Sequence, residues 1–252
     1  MPAVMAIFCC SRRARGNANG IGSGFDTVRA WKHFQTRKRL RAMPRGRHVK
    51  FLVSDLQRMI ALLLAERAPD NARVLVLGAG GGLEIKAFGE ARPDWRFDGV
   101  DPSAEMLNLA RATLGPLADR TRLHHGLIDS APEGPFDAAT CILTLHFVER
   151  QERLRTLKEV RRRLKPSAPF AVSHFSFPQG ADDRELWLAR YAAFAIASGI
   201  DPAQAENARS MIAERLPILS PQEDEQLLRD AGFSGVGLFY VGMAFRGWVA
   251  YA

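Results

Sequence analysis

From about residue 53 onward, apolar positions recur in two alternating rhythms. Leu56, Met59, Ile60, Leu63 and Leu64 fall at helical spacing up to Ala68-Pro69-Asp70, which predicts an amphipathic helix beginning near Val53. Arg73 to Leu77 is a short apolar run that ends in glycines, and Arg96 to Val100, Thr121 to His125, Phe136 to Leu143 and Phe170 to Ser173 read as further strands. Between them Leu83 to Ala91, Ser103 to Leu114 and Glu149 to Leu164 carry helical patterns, with Ser103 as an N-cap. Strand and helix in regular alternation mean a parallel sheet covered on both faces.

The last third departs from that rhythm. Asp182 to Ser198 and Pro202 to Arg215 predict two extra helices after the fifth strand, Pro221 to Ala231 a third, and Gly235 to Val241 with Met243 to Tyr251 a closing strand pair. The expected fold is therefore α/β. It is a doubly wound, mostly parallel seven-stranded sheet with helices on both faces, an antiparallel closing pair, and a helical lid at about 182–215. Residues 1–52 show neither period and are expected to be poorly ordered, or to stem from a shifted reading frame or misassigned start.

Charge sharpens this division. The chain carries a formal net charge of +8, yet residues 1–50 hold 12 Lys and Arg against Asp26 alone. The remaining residues hold 23 basic and 26 acidic side chains, so the patterned body is mildly acidic and nucleic acid is an unlikely substrate for it. No apolar run approaches the roughly 20 residues of a membrane span. Cys9, Cys10 and Cys141 cannot form a disulfide framework, and the first ten residues lack the basic start and the length of a signal peptide. A cytoplasmic protein is expected, its oligomeric state open.

Candidate chemistry gathers where Val74-Leu75-Val76-Leu77 runs into Gly78-Ala79-Gly80-Gly81-Gly82. Such a turn brings bare backbone N–H groups and a helix N-terminus up to an anionic ligand. Glycines at 78, 80 and 82 fit G-x-G-x-G, whereas the third glycine of the dinucleotide fingerprint would fall at Leu83, which disfavours NAD and FAD. Asp101 closes the second strand 23 positions after Gly78. A carboxylate there can accept hydrogen bonds from both ribose hydroxyls of a nucleoside lying over the first turn.

With these residues the chain resembles the class I S-adenosylmethionine-dependent methyltransferases, over about Leu56 to Ala252, as a Rossmann-like domain. Gly99-Val100-Asp101-Pro102-Ser103 with Met106, Phe136-Asp137-Ala138-Ala139-Thr140 and Arg163-Leu164-Lys165-Pro166 match further pieces of that family's pattern. The resemblance implies S-adenosylmethionine as cofactor, with Gly78, Ala79, Gly80 and Gly82 at its methionine portion and Asp101 and Pro102 at the ribose. It likewise implies Met106 on the adenine face, Leu127 and Ile128 at the adenine edge, and Leu143 to Phe147 bordering the methyl group. The chain departs from the family at Val76 and Leu127, where acids are common, and lacks a recognisable aromatic cover segment within 27–52.

A sulfonium transfers its methyl by in-line displacement, so the protein chiefly has to align a nucleophile and exclude water, and no metal is needed. His146 and His174 fall at carboxyl ends of strands and are the candidate bases. Trp187, Leu188, Tyr191, Phe194 and Ala195 suit an apolar lid over a small-molecule acceptor. Other readings from the same residues are a relative of the carboxy-S-adenosylmethionine synthases of tRNA wobble modification, through Thr144-Leu145-His146-Phe147 and Ala244-Phe245-Arg246-Gly247, a cofactor binder without catalysis, or an RNA methyltransferase using residues 1–50 as a basic arm.

Overall fold

The structure is a computed structural model that describes residues 47–252, with side chains from residue 55. The expectations for residues 1–46 lie outside the described residues. Helix α1 (Arg47–Ala65) precedes β1 (Arg73–Leu77), α2 (Leu83–Ala91), β2 (Arg96–Asp101), α3 (Ala104–Leu114), β3 (Thr121–His125) and β4 (Ala138–Ile142). Then follow α4 (Arg150–Arg162), β5 (Pro169–Phe175), α5 (Ala181–Ala197), α6 (Pro202–Arg215), α7 (Pro221–Asp230), β6 (Ser234–Gly242) and β7 (Phe245–Tyr251). The seven strands form one sheet in the order β3-β2-β1-β4-β5-β7-β6, parallel except for β7, which is antiparallel to β5 and β6.

Because β1, β4 and β5 sit mid-sheet, both their faces are buried and their sequences are largely apolar. One face packs under α1 and α2 through Leu56, Ile60, Leu64, Ile85 and Phe88 against Val74, Val76 and Ala138. The other packs under α4 and α7 through Leu157, Val160, Leu227 and Leu228 against Leu75, Cys141, Val172 and Trp248. A third cluster joins α5 and α6 to the carboxyl end of β5, with Phe175 stacked on Phe245 (centroids 4.2 Å apart) and edge-on to Tyr191 (5.3 Å). Among the described residues no helix is long and apolar enough to cross a membrane.

Three of the differences from the expected boundaries bear on the site. Helix α1 already begins at Arg47, six residues before Val53. The β4 ladder covers only Ala138–Ile142: Phe136 makes a lone parallel bridge to Leu164, and Leu143 leaves the strand with φ 56°. Strand β5 runs on to Phe175 because β7 supplies a partner ladder as far as Phe175–Phe245. His174 therefore lies inside a strand rather than at its end.

Candidate functional site

The glycine loop is shaped by what surrounds it. Gly78 and Ala79 donate their N–H groups to the Val100 carbonyl at 2.8 and 3.0 Å, tying the end of β1 to β2. At Gly78, with φ 76°, a Cβ would lie 1.9 Å from Thr144 Oγ1, so no side chain fits there. Gly80 takes φ 49°, and a built Cβ there would be in ordinary contact with Met106 Cε at 3.6 Å. The side chain of Ala79 points into the core against Gly99, which leaves the upper surface of the loop as bare backbone.

Asp101 finishes β2 and is fully buried. Its Oδ1 accepts the Ser103 N–H and its Oδ2 the Gly80 N–H, each at 2.8 Å. Burial pushes its carboxyl up to about 6, against the pull of those two bonds and of His125. Ser103 caps α3 by accepting the Met106 N–H at 3.2 Å, as the sequence predicts. That cap places Met106 beside the glycines.

Next to this loop opens a small cleft with a mostly apolar lining. Gly78, Pro102, Leu127 and Ile128 line it, as do Thr144, Leu145, Phe147 and Val148 from the turn after β4, and Glu152 and Thr156 from α4. The cleft thus unites four of the residues singled out from sequence. Ala79, Gly80, Gly82, Asp101 and Met106 stand around the adjoining loop, and Leu143 packs toward the lid cluster. Asp129 gives both oxygens to Arg155, at 2.9 and 2.8 Å, and is engaged on the protein surface.

The two histidines occupy different places. His146 is buried beside Leu145 and Phe147 of the cleft wall, and its Nδ1 accepts the Phe175 N–H at 3.4 Å. Burial, with His174 and Arg153 nearby, holds it well below the usual imidazole range, so it is neutral. His174 lies on the face under α4 and α7, its ring 5.6 Å from Trp248 and its Nε2 3.1 Å from Asp224 Oδ1, without hydrogen-bond alignment. Arg153 donates to Asp224 at 2.6 Å and to the carbonyls of Pro217 and Val148 at 2.8 and 3.2 Å. Burial would raise Asp224, but His174, Arg153 and Ser176 outweigh it and hold the carboxyl below its ordinary value.

Sequence reasoning placed Thr144 within the 143–147 stretch bordering the site but missed Glu152, Thr156 and Glu84 as site residues. Glu152 and Thr156 are spaced i, i+4 on α4, off the stripe of Leu154, Leu157 and Val160, which was the only available signal. Glu84, in the first turn of α2, is buried and accepts a short hydrogen bond from Thr140 Oγ1. In the sequence it is indistinguishable from an ordinary helix N-terminal acid.

Comparison with known proteins agrees with this geometry. Residues 75–170 match the family model described as a methyltransferase domain. A carboxy-S-adenosyl-L-methionine synthase of Campylobacter fetus is 26% identical over 201 residues, 78% of this chain and 84% of that protein. A trans-aconitate 2-methyltransferase of Streptomyces avermitilis is 37% identical over 82 residues, 31% of this chain and 30% of that protein. An O-methyltransferase family protein of Burkholderia thailandensis shares the fold at TM-score 0.59 and 16% identity, covering 79% of this chain; the chain spans only 56% of that protein's length. The matched stretch carries a methyltransferase domain that spans the glycine loop, Asp101 and the cleft wall, and the whole sheet has the strand order of the class I S-adenosylmethionine-dependent methyltransferase fold.

Proposed function

We propose that the protein binds S-adenosylmethionine across the glycine loop and the adjoining cleft and transfers its methyl group to a small, largely apolar acceptor. The observation that carries this is Asp101, a fully buried carboxylate bonded only to backbone N–H groups and set between the glycines and the cleft. The fit to the cofactor rests on three features. The left-handed glycines leave bare backbone, the adenine end of the cleft is walled by apolar Leu127 and Ile128, and Asp101 can accept from two hydroxyls. When bound, the cofactor supplies an activated methyl group on a sulfonium. Thr144 and Phe147 position its neighbour, while Leu143, Trp187 and Tyr240 at the edge of the lid cluster exclude water from the acceptor side. His146 is the base this reading retains, since its neighbours line the cleft; His174 supports the frame.

A second reading, carboxy-S-adenosylmethionine synthesis, is favoured by Arg246. This arginine is buried at the start of β7, donates Nη1 to the carbonyls of Met243 and Phe245 at 2.6 and 2.9 Å, and lies 5.3 Å from the Trp187 ring centroid. Among the described residues no acid pairs with it, so a carboxylate on the reacting partner would satisfy it. Incubation with methyl-labelled S-adenosylmethionine and pooled small phenols and carboxylic acids, followed by mass spectrometry, separates the readings. Demethylated cofactor plus labelled acceptor supports methyl transfer, and cofactor gaining a carboxyl group supports the second. Absence of binding to S-adenosylmethionine, with binding to NAD, would sink both.

A further inference from the structure

Four carboxylates are buried among the described residues: Glu84, Asp98, Asp101 and Asp224. Two are paired with cations. Asp98 meets Arg73 and His124, each at 2.8 Å, and Asp224 meets Arg153 and His174. Asp101 holds two backbone N–H groups. Glu84 has only the hydroxyl of Thr140, and no Lys, Arg or His among the described residues pairs with it. Burying a carboxylate with one neutral donor is costly, so the site favours the neutral acid until a cation arrives.

The sheet register shows which ligand atom could be that cation. Thr140 is the Cα partner of Val76 across the β1–β4 ladder, two residues before Gly78. Glu84 stands two residues after Gly82, in the first turn of α2. The hydrogen bond to Thr140 therefore holds the carboxyl against β4 at the level of Val76, two residues below the loop whose bare backbone faces the amino-acid end of the cofactor. β1 itself offers no acid there, because Val76 is fully buried apolar core.

We propose that Glu84 is the cofactor-binding residue that receives the α-ammonium of S-adenosylmethionine, with Thr140 as its positioning partner. This rests on the cofactor reading above. Binding then couples to a proton. In the free protein burial keeps the Glu84 carboxyl up to about 8, so at neutral pH it carries its proton. The arriving ammonium makes the carboxylate the favoured form, and the carboxyl proton leaves to the buffer. The other ionisable group close by is the Cys141 thiol, which burial and Glu84 itself hold protonated.

The test uses calorimetric titration of the full chain at pH 7 in two buffers of different ionisation enthalpy. The ligands are S-adenosylhomocysteine, which carries the ammonium, and 5′-methylthioadenosine, which keeps the nucleoside but lacks the amino-acid end. The wild type should release close to one proton with the first ligand and none with the second, a difference that cancels any contribution from Asp101. Glu84→Gln keeps the size of the side chain and an acceptor for Thr140. It should weaken S-adenosylhomocysteine by about 10- to 100-fold, abolish the proton release and leave 5′-methylthioadenosine unchanged. Thr140→Val should give a smaller loss confined to the same ligand. Wild-type affinity and proton release in Glu84→Gln would overturn the inference, as would equal losses for both ligands alongside a lowered melting temperature. A wild type that binds neither ligand would instead overturn the cofactor reading.

Discussion

Asp101 and Asp224 lie on opposite sides of the central strand β4, both buried to 2% exposure or less, yet their carboxyls are displaced in opposite directions. Asp224 sits among Arg153, His174 and Ser176 and is held below its ordinary range, while Asp101, served only by backbone N–H groups and His125, is pushed up to about 6. The difference separates framework from site. On the side of β5, β7, α4 and α7 the buried carboxylate of Asp224 has its counter-charges inside the protein, in Arg153 and His174, which ties α7 to α4 and the sheet. On the side of β1, β2 and α2, Asp98 is paired with Arg73 and His124, but neither Asp101 beside the cleft nor Glu84 has a salt-bridging cation among the described residues. A group kept costly by burial and left uncompensated is one whose partner comes from outside.

The contrast is broken most severely by removing the framework cation. Arg153→Met leaves Asp224 buried with His174 alone and should cost about 3 to 5 kcal/mol, a fall in melting temperature of about 10 °C or more. Calorimetric melting checks it, and a change below 1 kcal/mol would mean that the pair is not the lock described. Asp101→Ala should do the reverse. The fold should survive, but two ribose hydroxyls lose a charged acceptor worth roughly 1.5 to 3 kcal/mol per bond, so S-adenosylhomocysteine should bind at least about 100-fold more weakly. Unchanged affinity in the folded variant would remove Asp101 from the site.

Stability against pH sharpens the comparison further. Glu84 is raised from 4.5 to about 8 and Asp101 from 3.8 to about 6, so the folded state holds their protons more tightly than the unfolded chain does. Their contribution is fully present below about pH 4 and is lost as pH rises through 6 and then 8. Urea denaturation of the wild type should therefore show a decline on the order of a few kcal/mol between pH 5 and 8. Glu84→Gln should remove the decline above about pH 6 and leave below it only the share that belongs to Asp101. A wild type that grows more stable over this window would show that these acids are compensated after all. The smallest effect is expected at the surface. Arg155→Ala removes an exposed guanidinium from Asp129 and Glu152, and should cost no more than about 1 kcal/mol and weaken further in high salt.

Much of the frame was legible because it rests on local period. The bounds of β1, β3, α2 and α6 coincide with the apolar runs that predict them, and Ser103 caps α3 where expected. The glycine loop and Asp101 were legible for a related reason: left-handed backbone and a carboxylate at a strand's carboxyl end are demands written into adjacent residues. Glu152 and Thr156 were not, since a polar pair on a solvent-facing helix looks the same whether or not a cleft lies beside it.

What the sequence by itself determined is thus the doubly wound order of strands and helices, the left-handed glycine turn, and the position of Asp101 at the end of β2. Each depends on spacings of a few residues and on the stereochemistry of single positions. The tertiary structure alone decided which charged groups were satisfied. His174 became framework because α7 carries Asp224 to it across 50 residues of chain, and β5 lengthened because β7 returned to pair with it. Glu84 became an uncompensated acid because β4 presents Thr140, and no cation, to the first turn of α2. Compensation of a buried charge is a contact between distant segments, and no local period encodes it.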